Sequence, residues 1–348
     1  MKVVCVGGGP AGLYLAMLLK RDHPDWDLTV YERNPKDHTF GFGVVFSDET
    51  LENLFEADAE SHRAITRAFA HWDAIDIHVK GEVIRSRGHG FSGISRRKLL
   101  SILHDRAVDL GVKVHFETEV EDVEALARDC DLLVGADGIR SRVRTTYESI
   151  FRPSLDHRKC KYIWLGTDKV FDSFTFIIEE NQHGTFQVHG YRFDKETSTF
   201  IVECDRDSWQ KAGLDRMSTT ESIAYLEELF GKYLGGCRLL DNHSNWIEFV
   251  TVKNEKWHHE NVVLIGDAAH TAHFSIGSGT KLAIEDSIAL AKALGEASSV
   301  SEALELYYEE RWLTVAKTQR AAQDSLRWFE RFIPRQGSEW TARSLRTF

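Results

Sequence analysis

Four residues near the start of the chain have the types and the spacing that hold a pyrophosphate. Gly7, Gly9 and Gly12 follow a short apolar run, and Glu32 comes 20 residues after Gly12. Glycine at these positions permits a tight turn, a close backbone approach to phosphate and close helix–strand packing. An acid at this offset accepts hydrogen bonds from a ribose, and the N–H groups of the helix that begins here attract the phosphates. The stretch therefore predicts a dinucleotide-binding strand–turn–helix–strand unit.

Two further stretches place an aspartate directly after a strand-like apolar run. Asp137 stands in Gly-Ala-Asp-Gly, and Asp267 stands in Gly-Asp-Ala-Ala-His. The carboxyl end of a parallel strand is where α/β sheets bind ligands. Downstream of Asp267, Gly277 and Gly279 open a helical pattern, so their backbone is predicted to approach a phosphate or a ring.

Composition excludes several other classes of protein. The 348 residues carry a net charge of −11, which gives no electrostatic support for nucleic-acid binding. No apolar run approaches the roughly 20 residues that a membrane span needs, and we expect no signal peptide. Five scattered cysteines without a CxxC pair predict reduced thiols rather than a disulfide framework or a zinc site. We therefore expect a cytoplasmic protein without a membrane or nucleic-acid partner.

The elements that would position these residues form two predicted domains. Alternating strand and helix patterns predict an α/β domain over 1–74, 91–160 and 253–348, the last part ending in helices Ser301–Arg320 and Ala321–Phe332. Segments 75–90 and 161–252 are rich in β-branched and aromatic residues and predict an inserted, mostly antiparallel sheet. The glycines at 88, 90 and 93 predict a loop. Gly41–Val45 is predicted to be a mobile loop beside the nucleotide.

The three glycine-containing motifs, in this order and over nearly the whole chain, resemble the single-component FAD-dependent aromatic hydroxylases of the p-hydroxybenzoate hydroxylase type. The resemblance implies a Rossmann-like FAD-binding domain and an inserted substrate domain. Stretches such as Lys161–Thr167 and His273–Thr280 are similar to salicylyl-CoA 5-hydroxylases and to the monooxygenase part of 2-aminobenzoyl-CoA monooxygenase/reductase. One departure stands out, because Thr271 replaces the proline that usually follows Gly-Asp-Ala-Ala-His.

The resemblance also implies roles for individual residues. Arg96 would reach the FAD phosphates, with the adjacent Arg97 as the alternative. The turn from Gly277 to Thr280 would present N–H groups to the flavin. The full set implied to contact FAD is Gly7, Gly9, Pro10, Ala11, Gly12, Glu32, Arg33, Val44, Val45, Arg96, Asp137, Gly138, Asp267, Gly277, Gly279 and Thr280. No metal is expected, because His270 and His273 have no third ligand at a useful spacing.

Candidate substrate residues come from the second domain and the last motif. His189 and Tyr191 alternate on one strand and share a face, which lines the ring pocket or packs elsewhere. His273 would polarise a phenol or aniline, with Phe274 beside it. Trp164 stacks on the substrate or belongs to the core. Arg158 and Lys159 contact CoA phosphates or form a solvated face.

The implied reaction is hydroxylation of an electron-rich aromatic ring through a flavin C4a-hydroperoxide, with NADH or NADPH as a transient reductant and O₂ as co-substrate. The predicted substrate is an aromatic CoA thioester, with salicylyl-CoA as the first candidate. A free aromatic acid or an indole-type intermediate is the alternative. A flavin-binding redox partner without turnover is the alternative of another class. The oligomeric state is left as a monomer or a homodimer.

Overall fold

The computed structural model describes residues 1–36 and 38–332, and within them the chain forms two β-sheets with surrounding helices. The strands are β1 (Lys2–Val6), β2 (Asp27–Tyr31), β3 (Gly43–Ser47), β4 (Ala70–Val79), β5 (Glu82–Ser95), β6 (Lys113–His115), β7 (Leu132–Gly135), β8 (Pro153–Thr167), β9 (Phe174–Asn181), β10 (Gly184–Arg192), β11 (Ser198–Asp205), β12 (Leu239–Leu240), β13 (Ile247–Asn254), β14 (His258–His259) and β15 (Val262–Leu264). The helices are α1 (Pro10–Asp22), α2 (Asp48–Ala57), α3 (Ala59–Thr66), α4 (Arg96–Leu110), α5 (Val123–Arg128), α6 (Arg142–Thr146), α7 (Glu148–Phe151), α8 (Arg206–Lys211), α9 (Thr219–Leu234), α10 (Gly279–Glu296) and α11 (Val300–Phe332).

The first sheet is the nucleotide-binding sheet that the sequence predicts. Its order is β14-β15-β7-β1-β2-β6, and every pair except β14–β15 is parallel. Strands β1 and β7 are apolar and buried because helices cover the sheet. Helix α1 is buried from Pro10 to Leu19 and packs against α4 and α10. The parallel order brings the ends of β1, β7 and β15, and thus all three motifs, to one edge.

The second sheet has nine strands and is antiparallel except where β4 pairs with β9. One face packs on α9 through a core that includes Phe186, Phe200 and Phe230. Helix α9 begins at a capping box formed by Ser218 and Glu221. The opposite face carries the side chains that the cross-strand register aligns, namely Gln187 with Glu203, His189 with Phe176 and Ile201, and Tyr191 with Thr199. This second face contacts the segment that follows β15, for example where His189 meets Phe274.

The α/β fold class is confirmed, whereas three local predictions were wrong. Residues 88, 90 and 93 lie within the long strand β5 rather than in a loop, because β5 pairs with β4 around a bulge near Trp72. The two C-terminal helices are one continuous helix, α11, since no glycine or proline interrupts it. The segment predicted as an apolar loop contains β3, which pairs with β5 in the second sheet.

The second sheet is also wider than the predicted insertion. Strand β8 begins at Pro153, and β3 joins this sheet although its residues fall in the predicted first domain. The division into two domains thus stays a prediction, with strands crossing its proposed limits. In the described part of the chain no helix is long and apolar enough to cross a membrane. All five cysteines are free thiols.

Candidate active site

The turn between β1 and α1 has the shape that a pyrophosphate requires. A Cβ on Gly7 would lie 2.2 Å from the Ala136 carbonyl oxygen, and one on Gly12 would lie 2.0 Å from the Gly7 carbonyl oxygen. These two glycines are therefore needed by the protein itself. A Cβ on Gly9 would instead point into open space with no atom within 4 Å. Helix α1 begins at Pro10 without a side-chain cap, so the N–H groups of Ala11 and Gly12 face this opening.

Glu32 closes one side of this opening. Its carboxylate accepts hydrogen bonds from the Gly8 N–H at 2.8 Å and from the backbone and side-chain nitrogens of Asn34 at 2.8 and 2.7 Å. These bonds fix the carboxylate just after β2. Oε1 already accepts two of them, whereas Oε2 accepts one and keeps a lone pair for a ribose. Arg33 is exposed and lines the same cleft beside Glu32.

Asp137 lies on the opposite side of the cleft. Its Oδ2 accepts from the N–H groups of Arg142 and Val143, at 2.6 and 3.2 Å, and so holds the start of α6. Its Oδ1 is buried without a protein partner, and burial raises the pKa of this carboxyl. Gly138 follows with a φ of 78° and no atom near its missing side chain. A ligand hydroxyl or phosphate in the cleft would satisfy this acceptor.

The end of β15 and the start of α10 form the third wall. Asp267 follows β15 with its side chain open to the cleft. The surrounding protein raises the pKa of its carboxyl, while the charge of Arg96 opposes that rise. Arg96 is half-buried, and desolvation lowers the pKa of its guanidinium. Arg97 is exposed, and both residues line the cleft. Helix α10 begins at Gly279 and Thr280 with no side-chain cap, next to Gly277 in the left-handed conformation. Its N–H groups are thus available to a flavin edge.

A network behind this wall was not predicted from the sequence. Asp286 on α10 accepts from the Gly266 N–H at 2.9 Å, contacts His270 Nε2 at 2.7 Å and pairs with Arg311 of α11 at 2.9 Å. Burial alone would raise the pKa of Asp286, but His270, Arg311 and the Gly266 N–H hold it below its ordinary value. His270 is therefore held after β15 by a buried structural hydrogen bond.

The segment Gly41–Val45 is anchored to its neighbours. The Gly43 N–H donates to Thr199 Oγ1 at 3.0 Å, and Tyr191 donates its hydroxyl to the Gly43 carbonyl at 2.9 Å. Val44 is buried in the core, whereas Val45 faces a pocket opposite Gly277. Residues 43–45 of the segment lie in β3, and its mobility stays a prediction.

This pocket lies between the free face of the second sheet and the segment that precedes α10. Its volume is about 300 Å³, within the range of small-molecule sites. It is lined by Val45, Ser47, Thr50, Ile75, Phe91, Phe174, Phe176, Ser275, Ile276, Gly277, Ser278 and Lys281. Lys281 supplies the charge in this lining, and it is held by Glu49 at 2.6 Å and Glu285 at 3.6 Å. The pocket is therefore mainly apolar and suits an aromatic ring.

The predicted substrate residues stand beside this pocket rather than in its wall. Tyr191 is buried and stacks near Phe174, with a ring separation of 5.3 Å. Phe274 packs among Tyr162, Trp164 and His189, and Trp164 also covers Gly41. Phe174, Phe176 and Phe91 form the aromatic wall instead. A sequence signal existed, since Phe174 and Phe176 alternate on a strand, but it did not say which face they occupy.

His189 and His273 meet across a buried glutamate that sequence reasoning missed. Glu203 lies on β11, with Oε2 3.5 Å from His189 Nε2 and Oε1 3.7 Å from His273 Nε2. Gln187 donates to the same carboxylate at 2.9 Å. All three ionisable side chains are at most 2% exposed. The cluster does not form a metal site: among residues 1–36 and 38–332 no three His, Cys, Asp or Glu side chains converge to hold an ion.

The cations predicted to contact CoA lie away from this pocket. Arg158 pairs through two nitrogens with Glu330 of α11, at 3.2 and 2.5 Å, and also with Asp156. The Lys159 N–H donates to Glu330, while its side chain is exposed. The charge of Arg158 is thus already balanced by two carboxylates, and its contact with CoA phosphates stays a prediction.

Comparison with known proteins identifies the cofactor that these walls enclose. The model of the FAD binding domain family matches residues 1–322. A 3-hydroxy-4-methyl-anthranilyl-[aryl-carrier protein] 5-monooxygenase of Streptosporangium sibiricum is 35% identical over 95% of this chain and 90% of its own length. The chain belongs to the family of FAD-dependent monooxygenases. The predicted family and its FAD cofactor are confirmed.

Two further comparisons describe this family member. A salicyloyl-CoA 5-hydroxylase of a Streptomyces species is 47% identical over 95% of the chain, which spans 66% of that relative's length. The crystal structure of the tetrameric form of 2-methyl-3-hydroxypyridine-5-carboxylic acid oxygenase has a TM-score of 0.79 and 20% identity, with coverage of 99% of this chain and 95% of the other. The latter likeness shows the fold. The open space at Gly9, the uncapped starts of α1 and α10 and the partnerless Asp137 Oδ1 all fit a bound FAD.

Proposed function

We propose that the protein hydroxylates an activated aromatic ring that is carried as a thioester, with salicyloyl-CoA as the substrate and the position para to its hydroxyl as the site. Bound FAD, reduced by NADH or NADPH, supplies the chemistry that activates O₂. The residues of the chain hold the ring beside the cofactor and keep bulk water away from it. In this proposal the protein acts in the cytoplasm, as a monomer or homodimer.

The main support for this proposal is that the cation in the pocket lining, Lys281, is already paired with carboxylates. A free aromatic acid would bring a carboxylate into the 300 Å³ pocket, where Lys281 is already paired with Glu49 and Glu285. An unpaired buried carboxylate is costly. A thioester has no charge at the ring, so the apolar wall of Ile75, Phe91, Phe174 and Phe176 accepts it without a counter-ion.

The position of the pocket supports turnover rather than cofactor storage. Gly277 and Ser278 line the pocket and also precede the uncapped start of α10, where the flavin is predicted to bind. Substrate and cofactor sites therefore adjoin. Two relatives support the thioester, since the name of one specifies a CoA ester and the name of the other an aryl group on a carrier protein.

Product analysis with matched substrates tests the proposal. The FAD-loaded protein would receive salicyloyl-CoA, free salicylate or benzoyl-CoA, which lacks the activating hydroxyl, together with NADH or NADPH. We expect a kcat/KM for salicyloyl-CoA at least about a hundredfold above that for salicylate, because the pocket leaves a carboxylate unpaired. Benzoyl-CoA should give no hydroxylated product.

Two outcomes would contradict this assignment. Preferred turnover of salicylate or of an indole would leave the hydroxylase activity and refute the thioester. If none of these compounds stimulates NAD(P)H oxidation, the alternative of a flavin-binding partner without turnover gains support.

A further inference from the structure

We propose that Ser275, His273 and Glu203 form a proton-accepting relay for the ring hydroxyl of the bound substrate, with Glu203 as its positioning residue. The inference rests on the proposed function, because it assumes a phenolic ring in the pocket. It assigns a place in the reaction to a glutamate and a serine that the sequence motifs do not single out.

The relay begins in the pocket wall. Ser275 lines the pocket, and its Oγ lies 2.9 Å from His273 Nδ1. The Ser275 backbone N–H also points at Nδ1, at 3.3 Å. A backbone N–H can only donate, so Nδ1 is an acceptor and the proton of the neutral ring resides on Nε2. The lone pair of His273 is thus turned toward Ser275 and the pocket.

The second nitrogen of the His273 ring, Nε2, faces the carboxylate of Glu203. His273 Nε2 lies 3.7 Å from Glu203 Oε1, and both side chains are at most 2% exposed. The carboxylate is itself held by Gln187 at 2.9 Å. Burial would raise the pKa of Glu203, but His189, His273 and Gln187 hold it below its ordinary value, so the carboxylate is charged. A charge at this place favours an imidazolium over a neutral ring.

Proton transfer along this path balances without any further reactant. The O–H bond of the ring hydroxyl breaks, Ser275 Oγ receives that proton, and its own proton passes to His273 Nδ1. The ring oxygen is left as a phenolate, which makes the ring a stronger nucleophile, and the imidazolium stands against Glu203. The proton returns to the oxygen by the same path once the product has formed.

The surroundings of His273 explain why the carboxylate is needed. Burial lowers the pKa of His273 to about 4, so the ring is neutral at physiological pH and its imidazolium forms only if a nearby anion stabilises it. The other charged or titratable groups that act on His273 are His189 on β10 and Arg158 on β8, and both lower its pKa, whereas Glu203 raises it. Without the Glu203 charge the imidazolium would be still less stable, and deprotonation of the substrate would fail.

The variants Glu203→Gln and Ser275→Ala test the relay with salicyloyl-CoA as the probe. Each should lower the kcat for hydroxylation by at least roughly tenfold, since proton transfer by a positioned side chain contributes at least that much. Both should retain FAD and flavin reduction by NAD(P)H. Because the unactivated ring reacts poorly, more hydrogen peroxide should be released per NAD(P)H oxidised. Glu179→Gln is the matched control. Glu179 lies on β9 of the same sheet, and its partly buried carboxylate pairs with Lys232 of α9.

A more acidic phenol separates a relay from a structural role. With 3-fluorosalicyloyl-CoA, whose hydroxyl ionises more easily, the loss of kcat in Glu203→Gln should shrink, and the variant's kcat should rise with pH as the phenol ionises without help. A merely structural role would give the same loss for both substrates at every pH. Unchanged kcat and unchanged peroxide release in both variants would also refute the relay. If the wild type does not turn over salicyloyl-CoA, the proposed function fails first, which is a different result.

Discussion

Each glycine in the turn between β1 and α1 is required either by the packing of the protein or by the cofactor. The structure shows which requirement applies to Gly12 and to Gly9. A Cβ at Gly12 would meet the Gly7 carbonyl at 2.0 Å, whereas a Cβ at Gly9 would enter open space. Gly9 also has a φ of −76°, which any residue adopts. Only the ligand therefore requires glycine at position 9.

This separation predicts opposite results for two similar variants. Gly9→Ala should fold with an apoprotein Tm close to that of the wild type and purify with little or no FAD. Gly12→Ala should lose about 1–3 kcal/mol of unfolding free energy or more even without FAD, because the clash is with backbone. Thermal unfolding of both apoproteins and flavin absorbance after purification would measure this. Full flavin content in Gly9→Ala would contradict the pyrophosphate assignment.

Site residues that belong to one sequence motif could be predicted from the sequence. Site residues that are distant in the sequence and meet only in the folded chain could not. Gly7, Gly9, Gly12 and Glu32 fall within one short stretch whose spacing has a physical meaning. Glu203 meets His273 only because β11 lies beside the segment after β15. Its sequence signal was a single acid within an apolar strand, and such a residue needs a buried partner that the sequence cannot name.

At the level of elements, Asp286 connects the cofactor loop to two helices. It joins the Gly266 N–H, His270 and Arg311, so β15, α10 and α11 share one buried carboxylate. The placement of Asp267 and of the α10 N-terminus depends on this junction. Sequence periodicity predicted that both segments are helical, although it divided α11 into two helices. It did not predict the contact between α10 and α11, because no motif marks that contact.

We expect Asp286→Asn to lose about 3 kcal/mol of unfolding free energy, because Arg311 and His270 would lose a buried partner. The folded-state pKa of Asp286 lies below its ordinary value of 3.8. Its contribution is therefore present above that pH and is lost as the pH falls through the folded-state pKa. The fall in unfolding free energy below about pH 4 should be less steep in the variant, as urea titrations would show. The exposed Asp109→Asn on α4 is the control, and an equal effect there would contradict the network.

At the scale of the whole molecule, the two sheets are joined by the segments that are predicted to bind the ligands. Strand β3 pairs with β5 in the second sheet, and Gly41–Val45 leads directly from the cofactor cleft to it. The pocket takes its walls from the second sheet, from α2, and from the segment that leads from β15 into α10. The division of the chain into an FAD domain and an inserted domain stays a prediction, and β3 and β8 cross its proposed limits.

This arrangement predicts one cooperative unfolding transition that FAD shifts as a whole. A ligand that binds only the folded protein adds about 2.7 kcal/mol when its concentration is 100 times its Kd, so the midpoint should rise by several degrees. Calorimetry of apoprotein with increasing FAD would measure the shift, and Gly9→Ala should show none. Two transitions, of which FAD moves only one, would show that the second sheet unfolds independently. A single shifted transition follows if β3 and the α10 segment transmit cofactor binding to the sheet that holds the substrate.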